Sequence, residues 1–274
     1  MKNNLCNVFR GGIVWFMPFV LASVVTACSD GDKAAGGTTE DAGVIAITGK
    51  QIAGVAQKGP FVKGSNIVLR ETSAEGNLVA TGREFFATTR SDQGDFVIDD
   101  INLESQYVRL TATGYYKSET TKENSKCQVS LNALSDISNR GVININVFTH
   151  LEYGRTLYLV KEGKSFAEAQ KQAHAELMKS FGYEWISEDS ENLDLTDTSE
   201  AGKALERISS GLDMAMNDAQ KRAEEGVRCE AAQEVVDILA EMFRKTGVFS
   251  GDFKTEYASS DVIMFFLVTM SYPE

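Results

Sequence analysis

Histidine and tryptophan are scarce in this chain, two of each, and only four cysteines and three prolines accompany them. Each scarcity removes a class of site. His150 and His174 belong to no His-Glu-x-x-His spacing, so the two-histidine zinc helix of a metalloprotease is excluded. No Gly-x-Ser-x-Gly occurs, which removes the nucleophile elbow of an α/β-hydrolase. The run Gly59-Pro60-Phe61-Val62-Lys63-Gly64-Ser65 places lysine before glycine and is followed by a β-rich stretch. It reads as a β-turn, since a phosphate loop needs Gly-Lys-Ser/Thr opening a helix. The acidic run Glu188, Asp189, Glu191 and Asp194 lacks the central glycine and spacing of a calcium loop. Asp92 and Asp95 flank Gly94 in what reads as a turn. These patterns call for no metal and no cofactor.

Long apolar runs are also missing. The stretch from Ile13 to Ala27 has Pro18 inside it, and its fifteen residues fall short of a hydrocarbon core of about 30 Å. Lys2 and Arg10 precede it and small residues close it, which describes an export signal over residues 1–27. The apolar core of 261–270 near the chain's end is shorter still. That element is expected to plug the core of the helical part, unless the chain is a fragment of a longer one.

The exit of the first run, Val25-Thr26-Ala27-Cys28, is a branched apolar residue, two small ones and a cysteine. It resembles the lipobox of bacterial lipoproteins. The resemblance implies cleavage between Ala27 and Cys28, a diacylglyceryl group on the Cys28 thiol, and a further acyl chain, such as palmitate, on the new amino terminus. Two or more chains anchor stably to a membrane, so the implied location is the bacterial cell envelope, on either face of the outer membrane. Residues 28–46, small and polar with four acids and one lysine, read as a flexible tether.

Cys6 leaves with the signal and Cys28 is taken by lipid, so Cys127 and Cys229 remain. In an exported protein they either join as a disulfide or stay as two separate buried thiols. Charge is unevenly spread: residues 47–146 are neutral and 147–274 carry net −11. An acidic second half argues against nucleic acid and against docking on anionic headgroups.

From Ile47 to Asn146 short runs rich in Val, Ile, Thr, Phe and Tyr alternate with turn residues. Strands are predicted near Ile47–Ala56, Ser65–Glu71, Leu78–Thr81, Phe85–Thr89, Phe96–Ile101, Tyr107–Thr113, Gln128–Leu134 and Val142–Val147, with turns at Ala74–Asn77 and Ser91–Gly94. Several short strands at this spacing suggest two packed antiparallel sheets. The residues Gly54, Gly59-Pro60-Phe61-Val62-Lys63-Gly64-Ser65-Asn66-Ile67, Asp92, Gly94, Phe96, Ile98, Tyr107-Val108-Arg109-Leu110 and Gly114-Tyr115 carry a resemblance to the carboxypeptidase-regulatory-like domain. That family implies a prealbumin-type β-sandwich, an accessory module without catalytic residues.

The second half reads as helical. Thr149-His150-Leu151-Glu152 and Ser165-Phe166-Ala167-Glu168 have the capping-box pattern. They predict one helix running to Lys161 and a second ending at Gly182, with Phe166, Ala169, Ala173, Leu177 and Phe181 on its inner face. An acidic loop follows from Ser187 to Ser199, then helices over about Glu200–Glu225 and Glu230–Lys245. The expected class is α+β: a sandwich domain over 47–146, then an acidic helical domain over 147–274.

The functional expectation is a membrane-anchored, non-enzymatic binding protein that meets a protein or glycan partner. Glu188, Asp189, Glu191 and Asp194 are the candidate interaction loop, although a solvated surface would have the same composition. Trp185, Tyr115 and Tyr116 are a thin platform for sugars, which favour stacked ring faces. The alternatives are a polymer-acting hydrolase, its catalytic part in the helical half or beyond Glu274, and a purely structural envelope component.

Overall fold

Alternation is strongest in the stretch 107–114, where Val108, Leu110, Ala112 and Gly114 turn inward while Tyr107, Arg109, Thr111 and Thr113 do not. That period of two makes it a strand with one face on a core. The same logic builds six strands in this computed structural model, which describes residues 43–73 and 78–249. The signal segment, Cys28, most of the tether, the turn 74–77 and the element 261–270 lie outside the described residues. The strands are β1 (Ile47–Val55), β2 (Asn66–Thr72), β3 (Ala80–Thr88), β4 (Asp95–Leu103), β5 (Tyr107–Gly114) and β6 (Val129–Asp136). β1 pairs antiparallel with β4, and β3-β2-β5-β6 forms a second antiparallel sheet. Four helices follow: α1 (Val147–Lys161), α2 (Phe166–Ser180), α3 (Glu200–Arg222) and α4 (Arg228–Arg244). The chain is therefore α+β, strands first and helices after.

Two strand expectations are corrected. Leu78–Thr81 and Phe85–Thr89 are not separate strands; the continuous β3 bends at a register shift opposite Arg70 and Thr72, beside Gly82 at φ +93°. A bulge of this kind turns a strand without ending it. Val142–Val147 is not a sheet strand either. It runs parallel to β1 through isolated bridges at Ala53–Val142 and Ala56–Ile145, and Val147 already begins α1.

The side chains of Asn144 and Asn146 explain why this segment stops short of a full strand. Asn144 Nδ2 and Asn146 Nδ2 both donate to the Leu193 carbonyl at 3.1 Å, and Asn146 Nδ2 also reaches the Ser190 carbonyl at 2.7 Å. Asn146 is also the true cap of α1: its Oδ1 accepts from the Thr149 N–H at 3.0 Å, and Thr149 Oγ1 accepts from the Asn146 N–H at 2.9 Å. The capping box is thus one turn earlier than Thr149–Glu152 suggests, with Thr149 as its last residue rather than its first. The Ser165–Glu168 box forms as expected at the start of α2.

Strands and helices share one core. Ile52, Phe96 and Leu110 from the strands belong to the same cluster as Phe148, Phe181, Leu205 and Phe243 from the helices. Helix α1 packs on β6, α2 and α4, and α3 packs on α4. Arg155 of α1 locks the helical layer: it grips Glu176 of α2 through Nε at 2.7 Å and Nη2 at 3.0 Å, and donates to the Lys245 carbonyl at 2.6 Å, just past the end of α4. No helix among the described residues is long and apolar enough to cross a membrane.

A close backbone approach combines with a positive φ at Gly94. Its φ is +81°, and an added Cβ would sit 2.3 Å from the Ala56 carbonyl oxygen. Gly82 has a similar φ, +93°, but open space around it. Gly94→Ala is expected to destabilise by at least about 2 kcal/mol, from left-handed strain plus the clash. Gly82→Ala carries only the strain. Urea midpoints of the two variants check this, and equal shifts would contradict it.

Candidate functional site

Three segments converge where the strand half meets α3: the turn after β1, the loop between β5 and β6, and the middle of α3. Gly59 makes the convergence possible, because at φ +55° it passes so close to residue 117 that a Cβ would lie 1.9 Å from the Lys117 carbonyl oxygen. The turn buries Lys58 completely. A buried ammonium is costly unless paired and hydrogen-bonded, and Lys58 Nζ meets Glu119 Oε2 at 2.8 Å, the Ser209 carbonyl at 3.2 Å and Asp213 Oδ1 at 3.6 Å. The ring of Tyr116 lies 4.8 Å below it, a cation–π contact away from water.

Asp213 is the most heavily bonded group of this cluster. It accepts from the Tyr116 hydroxyl at 3.1 Å, Ser118 Oγ at 2.6 Å, the Thr120 N–H at 3.2 Å, Thr120 Oγ1, and Asn217 Nδ2 at 3.3 Å. Burial would raise its pKa, but Lys58 and the donors from Ser118 and Thr120 outweigh that and hold it below the usual carboxylate range. Glu119 goes the other way. Burial pushes it up more than Lys58 and the Ser209 hydroxyl pull it down. The two neighbouring carboxyls are thus shifted in opposite directions, Asp213 down and Glu119 up.

Above the cluster lies a cleft of about 720 Å³. Tyr116, Ser118, Thr120 and Asn217 line it, together with the cationic side chains of Lys126, Lys221 and Arg228. Cys127 and Cys229 are joined beside it, with Cα atoms 5.1 Å apart. Of the two states that the sequence left open for this pair, the structure contains the bond. It closes 102 residues of chain, which in the chain-entropy treatment is worth about 4 to 5 kcal/mol.

A second polar group joins α1, α2 and the acidic loop. His174 Nδ1 lies 3.0 Å from Glu152 Oε1 and 3.2 Å from Ser190 Oγ, while Nε2 faces the Ile186 carbonyl at 3.2 Å. Ser190 itself donates to Glu152 at 2.7 Å. Serine, histidine and glutamate are therefore adjacent but wired wrongly for nucleophilic catalysis, which needs serine and carboxylate on opposite ring nitrogens. Burial lowers the pKa of His174, yet the Glu152 carboxylate and the Ile186 carbonyl outweigh it and raise the net value. The group acts as a clasp.

The candidate acidic loop divides. Glu188 and Asp189 are at the surface, but Asp189 takes Arg140 Nη2 at 2.6 Å. Asp194 accepts from Gln57 Nε2 at 2.8 Å and caps its own turn at Thr196. Glu191 is buried, its Oε2 bonded to Gln170 Nε2 at 2.8 Å and 3.5 Å from Arg140 Nη2. Oε1 lies by the Ser135 hydroxyl without a bond of normal geometry. Burial pushes this carboxyl up to about 7 against the pull of Arg140. The three candidate aromatics are split as well: Tyr116 is buried in the Lys58 cluster, Tyr115 is exposed, and exposed Trp185 stands edge-on to Tyr183.

Sequence reasoning passed over Lys58, Glu119, Asp213 and Ser209. Lys58 beside Gly59-Pro60 and Asp213 on the apolar face of a helix are the signals that could have found them, since neither charge has a local partner in sequence. No group of three or more metal-ligating residues suited to an ion occurs among the described residues.

Glu191 and His150 titrate in opposition. A carboxyl at about 7 in the folded chain against 4.5 unfolded stabilises fully below 4.5 and loses that contribution as pH rises through 7. His150, buried with Nδ1 accepting from the Asn132 N–H at 3.1 Å, is lowered to about 4 by burial and by Arg109. Its contribution is present above 6.5 and lost as pH falls through 4. Relative to the unaltered chain, Glu191→Gln should gain about 3 kcal/mol between pH 4.5 and 8. His150→Gln should gain a comparable amount on going from pH 7 to pH 4. Denaturant titrations across pH check both slopes.

No family model, no curated protein and no solved structure matches this chain.

Proposed function

We propose that this chain is a lipid-anchored binding protein of a bacterial envelope, without enzymatic activity of its own. Its six strands are read as an accessory β-sandwich of the prealbumin type, and Cys28 as the acylated residue. The observation that carries the reading is the Cys127–Cys229 bond. Disulfides persist in oxidising, exported settings, which is where the Val25-Thr26-Ala27-Cys28 motif would send the protein.

The cleft of about 720 Å³ is the proposed contact surface. Its size suits a small ligand or an extended segment, and its walls are the β5–β6 loop, α3 and the start of α4. Lys126, Lys221 and Arg228 outnumber Glu123 and Asp218 along its lining, which favours an acidic partner, either a protein surface or an anionic glycan. The acidic loop supports this placement from the other side: Glu191, Asp189 and Asp194 have internal partners and hold the loop to the fold.

Cys28→Ala is expected to leave a folded chain that carries no lipid label and leaves the membrane fraction. Metabolic labelling with a fatty-acid analogue, followed by fractionation, reads both. A variant still labelled and still sedimenting with membranes would refute the anchor.

A further inference from the structure

We propose that Lys58 and Glu119 join through a side-chain amide inside the folded chain, with Asp213 as the proton acceptor of the reaction. The amide would be an internal covalent cross-link between the β1–β2 turn and the β5–β6 loop.

Geometry supplies the first argument. Nζ of Lys58 is 2.8 Å from Glu119 Oε2, with both side chains withdrawn from solvent, so amine and carboxyl are held at reacting distance. Fixing two groups in this way replaces a bimolecular encounter with an intramolecular one, and effective molarities reach about 10⁵ M or more. Lys58 has no route out: its side chain is wholly buried between the Tyr116 ring and the backbone of α3 at Ser209.

Which carboxyl is attacked follows from the bonds each one makes. Five donors from Tyr116, Ser118, Thr120 and Asn217 converge on Asp213, and hydrogen bonds of that kind stabilise an anion. Converting Asp213 to an amide would forfeit them, so it serves as base. Glu119 is bound by Lys58 on one oxygen and the Ser209 hydroxyl on the other. Burial shifts Glu119 toward the acid while Asp213 is shifted toward the anion, and of two carboxyls the more readily protonated one is the better electrophile for an amine. The Ser209 hydroxyl donates to Oε1, where negative charge gathers as the tetrahedral centre forms, in the manner of an oxyanion donor.

The step balances. The Lys58 ammonium gives one proton to the Asp213 carboxylate, and the freed lone pair attacks Cδ of Glu119. The Cδ–Oε2 bond breaks, Oε2 leaves as water with its own proton and a second one from Nζ, and the Nζ–Cδ amide remains. Asp213 holds the transferred proton until solvent takes it. The cleft lies directly over Tyr116, Ser118 and Thr120, so the water has an exit. In the product, the amide oxygen keeps the Ser209 hydroxyl and the amide N–H points toward Asp213.

The experiment uses the full-length chain, purified, denatured, reduced, alkylated and digested with trypsin. The expected result is no cleavage after Lys58 and a branched peptide joining Lys58 to Glu119, lighter than its two arms by one water. Cleavage after Lys58 together with a linear Glu119 peptide would overturn the proposal. A branch at Asp213 instead of Glu119 would overturn the assignment of base and electrophile. Lys58→Arg, if it folds, gives the linear reference. Asp213→Asn, checked for folding by circular dichroism, is expected to slow cross-linking at least tenfold, and unchanged conversion would remove Asp213 from the reaction. The unaltered chain alone decides the central point, so the proposal stays testable even if both variants misfold.

Discussion

As the chain folds, before any cross-link forms, a single buried ammonium governs how its two halves meet. Lys58 enters the interior from a turn between two strands and finds its partners on another strand-side loop and on α3. Taking an ammonium out of water costs several kcal/mol, which only close carboxylates and further hydrogen bonds offset. Removing one member of such a group typically costs about 3 to 5 kcal/mol, because the others are left buried and unpaired. Strand half and helical half are therefore conditional on each other. Neither surface would be stable if it were exposed with its share of the cluster, and the continuous apolar core that runs beneath both reinforces the dependence.

The same theme recurs at the second junction. Asn144, Asn146, Gln170, His174 and Arg140 use their side chains on the loop that follows α2. That loop has little regular structure, so its backbone groups need partners from elsewhere. The asparagines supply them just before α1 begins, and Asn146 caps the helix as well. A stretch that looks like an eighth strand is thereby given over to holding a loop.

What could be read from residues alone follows the range of the interactions involved. Helix α2 was legible to within a residue or two, because Ser165, Glu168 and the apolar positions through Phe181 are all local signals. Strand β5 was legible for the same reason: its alternation is complete over eight residues. The start of α1 was misplaced because two cap patterns overlap, and only the loop bound by Asn146 selects between them. Glu191 reads as one more solvated acid until Gln170 and Arg140 appear beside it. The Lys58 cluster was illegible in the strict sense, since Lys58 is already 151 positions from Ser209. Periodicity carries no information about which distant charges will face each other.

The disulfide has a topological side. Cys127 stands just before β6 and Cys229 at the second residue of α4, so the ring it closes contains β6, α1, α2, α3 and the whole acidic loop. A single peptide-bond scission anywhere inside that ring, including at the exposed Glu188–Asp189 surface, leaves one covalently continuous molecule. Under oxidising conditions such a nick would escape notice by mass on a non-reducing gel, and the shared core would hold the cut ends in register. Wherever a protease meets the oxidised chain, this makes survival of the assembled fold independent of survival of the intact chain.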